Sequence, residues 1–307
     1  MIIPVFILIL SLLLMFFMSA HLVSSLDRFS RRIKISQYFA GTLILAIGTS
    51  VPELIDVSIS SLLRFGSLGI GNVIGANIAN ICLILGIASV LNPVGRFGKK
   101  QTYDLAMVFI TSVLFLLIIL DGIISRVEGA VLVSVFFLYY FYMHKKEFKQ
   151  EIEVMFKDIE SDIILTPLAI AGILICGWIA VNTSAYIASE SDISVTIFGL
   201  TVVALGTTTP ELMSSIAASI KDKTKLAVGN LFGSNIINIT LIPGIASLLN
   251  PISLQSVGVL KFSLFMLFGV TGIVSLLIRT DNKLTRNEGI IMIFMYMAYL
   301  IAVMISA

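Results

Sequence analysis

Apolar residues in this 307-residue chain run in long blocks, and polar residues gather in the short intervals between them. Blocks long enough to cross about 30 Å of hydrocarbon as helices fall at residues 2–24, 36–63, 69–92, 103–121, 127–143, 163–187, 194–219, 226–249, 257–278 and 288–306. The pattern predicts ten transmembrane helices in an all-α integral membrane protein. Composition points the same way: 58% of residues are hydrophobic and 12% charged, which a soluble domain of this size would turn into a large exposed apolar surface. The first block, IIPVFILILSLLLMFF, has no basic residue before it and no small-residue cleavage site leading to a soluble domain. It is expected to stay as the first helix and not to be removed as a leader.

Charge adds an orientation. All but three of the 20 Lys and Arg residues fall into alternate loops, within 28–34, 96–100, 145–157, 221–225 and 279–286; Arg64, Arg126 and Lys261 are left for the other side. The positive-inside bias then makes those five loops cytoplasmic and both termini extracellular. A multi-pass protein of the cell membrane is expected, and the net charge of +2 reflects topology and no affinity for nucleic acid. Residues 144–162 form a charged connector in which Phe148, Ile152, Met155 and Ile159 recur at helical spacing, as in a short amphipathic helix on the membrane surface. Cys82 and Cys176 sit in separate predicted helices without a CxxC or neighbouring histidine. Structural packing is expected of them, and no zinc site or disulfide.

The blocks repeat. Shifted by 158 residues, the chain matches itself without a gap from Gly41–Pro93 to Gly199–Pro251. GTSVPEL at 48–54 meets GTTTPEL at 206–212, GNVIGANIANICLILG at 71–86 meets GNLFGSNIINITLIPG at 229–244, and IASVLNP meets IASLLNP. Chance likeness of apolar helices does not bring Gly, Pro, Glu and Asn into register. Each unit holds five helices, an odd number, so the second must enter the membrane from the opposite side. The expected organisation is a first five-helix repeat over 1–143, the connector, and an inverted second repeat over 163–307. Inverted repeats mark secondary transporters, whose sites lie at the membrane midplane where broken helices from both halves meet.

The repeated motifs carry the chemistry. Glu53 and Glu211 fall in mid-helix, where an ionised carboxylate is costly unless it faces a partner or a wet cavity. Pro52 and Pro210 precede them, and a proline inside a helix removes a backbone donor and loosens the carbonyls of the preceding turn, here Ala46 to Thr49 and Ala204 to Thr207. Gly48 and Gly206 ease that unwinding, while Thr49 and Ser50, like Thr207 and Thr208, add hydroxyls. Each motif is an oxygen-rich notch with one negative charge. Two notches face to face suit a hard divalent cation such as Ca²⁺, which takes six to eight oxygens; the same cage suits Na⁺. Mutually exclusive occupancy is the simplest route to exchange.

In the partner helices Ala76 and Asn80 are one turn apart, as are Ser234 and Asn238, and would line the opposite wall. Gly71, Gly75, Gly229 and Gly233 form GxxxG pairs that read as close-packing faces. Asn77 and Asn235 are expected either to bond between helices or to support the ligands. Asp56, with Ser214 at the matching position, is the one acid here without a symmetric counterpart. It reads as a proton carrier, a helix-end partner or an accessory ligand. Asp121, Glu190 and Asp192 read as solvated acids at outer helix ends.

AIGTSVPEL with GNVIGANIANICLILG, and ALGTTTPEL with GNLFGSNIINITLIPG, resemble the two alpha repeats of the sodium/calcium exchangers in the cation/calcium antiporter superfamily, in their minimal microbial form. The resemblance implies a two-bundle inverted-repeat fold in which the first and sixth helices slide past a core made by the others. It implies that Ca²⁺ is held by the side chains of Glu53 and Glu211 and the carbonyls of Thr49 and Thr207. Flanking sodium sites would draw on Ala46, Ser50, Asn80, Ala204, Thr208, Ser234 and Asn238. Two positions depart: Ala76 stands where relatives commonly have serine, which weakens one sodium site, and Asn238 stands where microbial and potassium-dependent relatives often have aspartate. The second departure speaks against potassium cotransport. The connector is too short for a calcium-sensing domain.

The reading is therefore a secondary transporter that exchanges Na⁺ for Ca²⁺, with no cofactor, no nucleic-acid partner, no obligatory protein partner and no enzymatic activity. Proton/calcium exchange, a potassium-dependent variant and an uncoupled cation channel are the alternatives. No nucleophile, base and oxyanion constellation is visible in the sequence.

Overall fold

The computed structural model describes residues 2–32, 37–95, 97–143, 165–191, 193–281 and 283–305. The amphipathic segment expected at 144–162 lies outside the described residues. Among those residues the helices are α1 (Ile2–Arg32), α2 (residues 37–49), α3 (Val51–Leu62), α4 (Gly66–Leu91), α5 (Lys99–Asp121) and α6 (Arg126–Met143). The later half holds α7 (Leu165–Glu190), α8 (Val195–Thr207), α9 (Thr209–Ile220), α10 (Thr224–Leu249), α11 (Val257–Asp281) and α12 (Arg286–Ile305). Helix dominates because a backbone in hydrocarbon must satisfy its own N–H and C=O groups.

Six helices are long and apolar enough to cross a membrane, and up to eight spans result if each bent pair, α2 with α3 and α8 with α9, counts as one. The blocks at 2–24 and 127–143 are helical as well, as α1 and α6, without meeting that measure. One feature departs from an all-α reading: a two-residue antiparallel ladder joins β1 (Ile123–Ile124) to β2 (Ile252–Ser253). An isolated bridge joins Val94 to Leu284. These contacts pair backbone groups in the connections that lead into α6, α11 and α12.

The two glutamate motifs are breaks between helices. Ser50 (φ −85°, ψ 5°) ends α2 and Thr208 (φ −78°, ψ 3°) ends α8, and the axes bend there by 49° and 43°. The helices are broken at both motifs, as the sequence reading expected, but the prolines do not lie inside the helix that precedes each break. Pro52 and Pro210 stand in the first turn of α3 and α9, where a missing N–H leaves nothing unbonded. The Ala46 and Ala204 carbonyls remain bonded, accepting from the amides of Ser50 and Thr208 at 3.0 and 3.1 Å. Ahead of each break the helix widens into a π-helical segment, Ala40–Leu45 and Gly199–Val203, and a third runs over Ala79–Ile84 in α4. Such wide turns are costly and concentrate at functional sites.

Packing exchanges elements between the halves. α2 lies along α10 and α8 along α4; α12 packs on the end of α4 and α6 on the end of α10. α1 packs chiefly against α7, so these two form a pair beside the rest. The crossings are close because they are made at glycine: a Cβ built on Gly75 would lie 2.2 Å from the Leu200 carbonyl oxygen, and one on Gly233 would lie 2.2 Å from that of Thr42. Even the loops correspond, since Arg64 and Asp222, 158 positions apart, both adopt left-handed backbone (φ 64° and 58°).

Gly75→Ala and Gly233→Ala are each expected to destabilise the protein by about 1–3 kcal/mol through forced separation of backbones. Gly258→Ala, where a Cβ meets nothing within 4 Å, serves as the control. Thermal unfolding in detergent measures all three; equal midpoints would contradict the packing role.

Candidate cation-binding site

The breaks, the glycine crossings and the helix exchange converge on one buried region. Ala46, Thr49, Ser50, Glu53, Asn80, Ala204, Thr207, Thr208, Glu211, Ser234 and Asn238 are all buried there, as are Asp56, Asn77 and Asn235. Because α2 rests on α10, the first motif meets the second half of the chain. Thr49 donates to Asn230 Oδ1 at 3.2 Å, and its hydroxyl lies 3.3 Å from that of Ser234. Ser234 donates to Glu211 Oε1 at 3.3 Å, and Ser50 makes a long contact of 3.5 Å to the same atom. Thr49, Ser50, Glu211 and Ser234 thus form one contiguous cluster drawn from both motifs.

The other half is arranged alike but is less complete. Thr207 donates to Asn72 Oδ1 at 2.9 Å, mirroring Thr49 on Asn230. Thr208, the counterpart of Ser50, turns back and donates to the Ala204 carbonyl at 2.8 Å. Ala76 brings no hydroxyl where Ser234 brings one. Both carboxylate oxygens of Glu53 consequently lack a hydrogen-bond partner among the described residues, as do Glu211 Oε2, Asn80 Oδ1 and the whole carboxamide of Asn238. Unpaired buried oxygens cost about 1–3 kcal/mol each, and more when charged. Their concentration beside two acids fits a set of ligands for a cation.

Asn77 and Asn235 bond between helices: each Nδ2 donates to the backbone oxygen of the other, at 2.9 and 3.2 Å, and Asn235 Oδ1 accepts from Asn80 at 2.9 Å. Asn72 and Asn230 are functional candidates that the sequence reading passed over. They stand second in the repeated GN pairs, in register with everything else, and that register was the available signal. Asp56 accepts from Asn72 Nδ2 at 2.7 Å, and Ser214 accepts from Asn230 Nδ2 at 3.1 Å. Asp121 instead accepts the Ile123 amide at an exposed turn, and Glu190 is exposed. Cys82 and Cys176 are free and buried.

Charge decides what the arrangement can do. Among the described residues the buried ionisable carboxylates are Glu53, Asp56, Asp104 and Glu211, and no Lys or Arg is buried with them. Asp104 is satisfied by the hydroxyls of Tyr38 and Tyr139. The described residues contain no group of three His, Cys, Asp or Glu placed for a metal, so a cation here is held by two acids together with neutral oxygens.

Comparison with known proteins matches the chain to the family described as "Sodium/calcium exchanger protein", over residues 3–145 and 162–305. It is 28% identical to the sodium/calcium exchanger MaX1 of Methanosarcina acetivorans, covering 92% of this chain and 93% of that one. It is 30% identical to the inner membrane protein YrbG of Escherichia coli, covering 80% of this chain and 79% of that one. A solved structure of the sodium-calcium exchanger NCX_Mj, soaked with Na⁺ and Ca²⁺, superposes with a TM-score of 0.70 at 26% identity over 98% of both chains.

Proposed function

The chain belongs to the sodium/calcium exchanger family, and on that premise we propose that it is a secondary active antiporter that expels Ca²⁺ in exchange for Na⁺ by alternating access. The observation that carries this reading is the pair of fully buried carboxylates, Glu53 and Glu211, each at a helix break and without a buried base among the described residues. Two carboxylates in a dry site demand about two positive charges, and one Ca²⁺ or two Na⁺ supply them equally well.

In this reading Ca²⁺ is bound by the carboxylates of Glu53 and Glu211 and the carbonyls of Thr49 and Thr207. Sodium ions use the flanking oxygens of Ala46, Ser50, Asn80, Ala204, Thr208, Ser234 and Asn238. Occupancy is exclusive because both cargoes need the same two charges. Ten transmembrane helices in two inverted five-helix repeats, 1–143 and 163–307, frame the site in the cell membrane with both termini extracellular. The α1–α7 pair, packed mostly on itself, is the part free to slide while the interlocked remainder holds the ligands. The protein performs no chemical conversion; binding and release are its whole cycle.

Membrane vesicles loaded with Na⁺ are expected to take up Ca²⁺ on dilution into sodium-free buffer. Glu53→Gln and Glu211→Gln are expected to lower that uptake about a hundredfold or more, since each removes half of the site's charge. Uptake driven by a proton gradient alone would move the assignment to proton/calcium exchange.

The missing hydroxyl gives a separate prediction. Ala76→Ser would offer Glu53 the kind of contact that Ser234 makes with Glu211. It is expected to lower the Na⁺ concentration that half-inhibits Ca²⁺ uptake by about fivefold, one neutral ligand's worth. An unchanged sodium dependence would contradict the reading of Ala76 as a lost ligand.

A further inference from the structure

Two hydrogen-bonded chains flank the glutamates, and they differ at one end. In the first, Ser214 donates to the Glu211 carbonyl at 3.0 Å and accepts from Asn230 Nδ2 at 3.1 Å; Asn230 Oδ1 then accepts from Thr49 at 3.2 Å. In the second, Asp56 Oδ2 accepts from Asn72 Nδ2 at 2.7 Å, and Asn72 Oδ1 accepts from Thr207 at 2.9 Å. The chemistry runs in the same direction in both. An acceptor fixes the amide's NH₂ group, the amide oxygen accepts the threonine hydroxyl, and the threonine is thereby held at the helix break. Both links of the acidic chain are shorter than their counterparts, as expected when the terminal acceptor is charged.

The acid itself sits in an isolated place. Asp56 is fully buried, and its Oδ1 has no partner among the described residues. The helices packed on α3 are α1, α2, α4, α7 and α10. Toward Asp56 they bring Asn72, its hydrogen-bond donor; the one acid of α7, Glu190, is exposed at its far end. Glu53 stands one turn earlier on α3. Among the described residues no Lys or Arg is buried with Asp56, and Asn72 is the hydrogen-bond donor it has.

Resting on the cation-site reading above, we propose that Asp56 is a positioning residue that clamps Thr207 through Asn72, and that this clamp, unlike its Ser214–Asn230–Thr49 twin, weakens when Asp56 takes up a proton. A protonated acid accepts from the amide's NH₂ group more weakly, and its O–H can donate to the amide oxygen in its place. The carboxamide is then free to turn over and donate to Thr207, which breaks the bond that holds Thr207, and with it the carbonyl assigned to Ca²⁺, at the helix break. The device gives one half of a symmetric site a sensitivity to pH that the other lacks.

The test is Ca²⁺ binding to the purified full chain, read as Ca²⁺-dependent thermal stabilisation and by ⁴⁵Ca²⁺ equilibrium binding at pH 6 to 8. The variants are Asp56→Ser, Asn72→Ala and the double substitution; serine is chosen because Ser214 shows that it fits this geometry. Wild-type affinity is expected to fall with acidity, since Glu53 and Glu211 also take up protons. Asp56→Ser is expected to have a shallower fall, and Asn72→Ala to weaken binding about tenfold at pH 8. In the double variant the Asp56 substitution should add nothing. A pH dependence of Asp56→Ser equal to wild type, or additive effects of the two substitutions, overturns the clamp while leaving Ca²⁺ binding intact. A wild-type chain that binds no Ca²⁺ overturns the functional reading and the clamp with it.

Discussion

Two carboxylates buried in a bundle that offers them no buried base, among the described residues, is the constraint on which everything else in this protein depends. An unpaired charge in hydrocarbon is costly enough that a chain retains it only for use. Around Glu53 and Glu211 the structure supplies the neutral oxygens of hydroxyls and carboxamides, and leaves several of them unpaired among the described residues. The site therefore has dipoles to share but no charge of its own that opposes the acids. Under the proposed function the transported ion is the counter-charge, which makes exchanging one cation for another and emptying the site very different events.

The fold delivers those oxygens by crossing the halves over one another. Each broken helix rests on the glycine face of the other half's long helix, and each half's last helix packs on the other half's third. Glycine makes the crossings tight enough for backbone and short side chains to meet; a methyl group at Gly75 or Gly233 would lie 2.2 Å from a facing carbonyl. Asn77 and Asn235 tie the two long helices to each other by reciprocal bonds at the centre. The site is thus shared rather than owned, and neither half contains a complete version of it.

Much of this was legible in the sequence because the membrane simplifies the code. Helical stretches follow from hydropathy once lipid is the solvent, and the 158-residue register identified both glutamate motifs together with the asymmetry of Ala76 against Ser234. What was not legible arises from tertiary contact. The π-helical turns at Ala40–Leu45, Gly199–Val203 and Ala79–Ile84 have no residue signature of their own. The prolines were read as kinks within helices, since only the three-dimensional chain shows that a new helix starts at Val51 and Thr209. The short ladder between Ile123–Ile124 and Ile252–Ser253 joins segments too distant to be paired by pattern. Asn72 and Asn230 were visible in the repeat, but beside two glycines they looked like part of a packing face.

The exchange of helices also bears on how the chain is made. The first half leaves the ribosome before the second exists, yet α2 and α6 have surfaces shaped for α10, and α4 has surfaces shaped for α8 and α12, all of which are still to come. Until then the glycine grooves of α4 and the two acids of α3 have only lipid or one another for company. The newborn protein must hold an unfinished, polar-lined half in the membrane for the time needed to synthesise about as many residues again. Its most demanding moment is biosynthetic, and the groups proposed to bind cargo in the finished molecule are the ones most exposed during that wait.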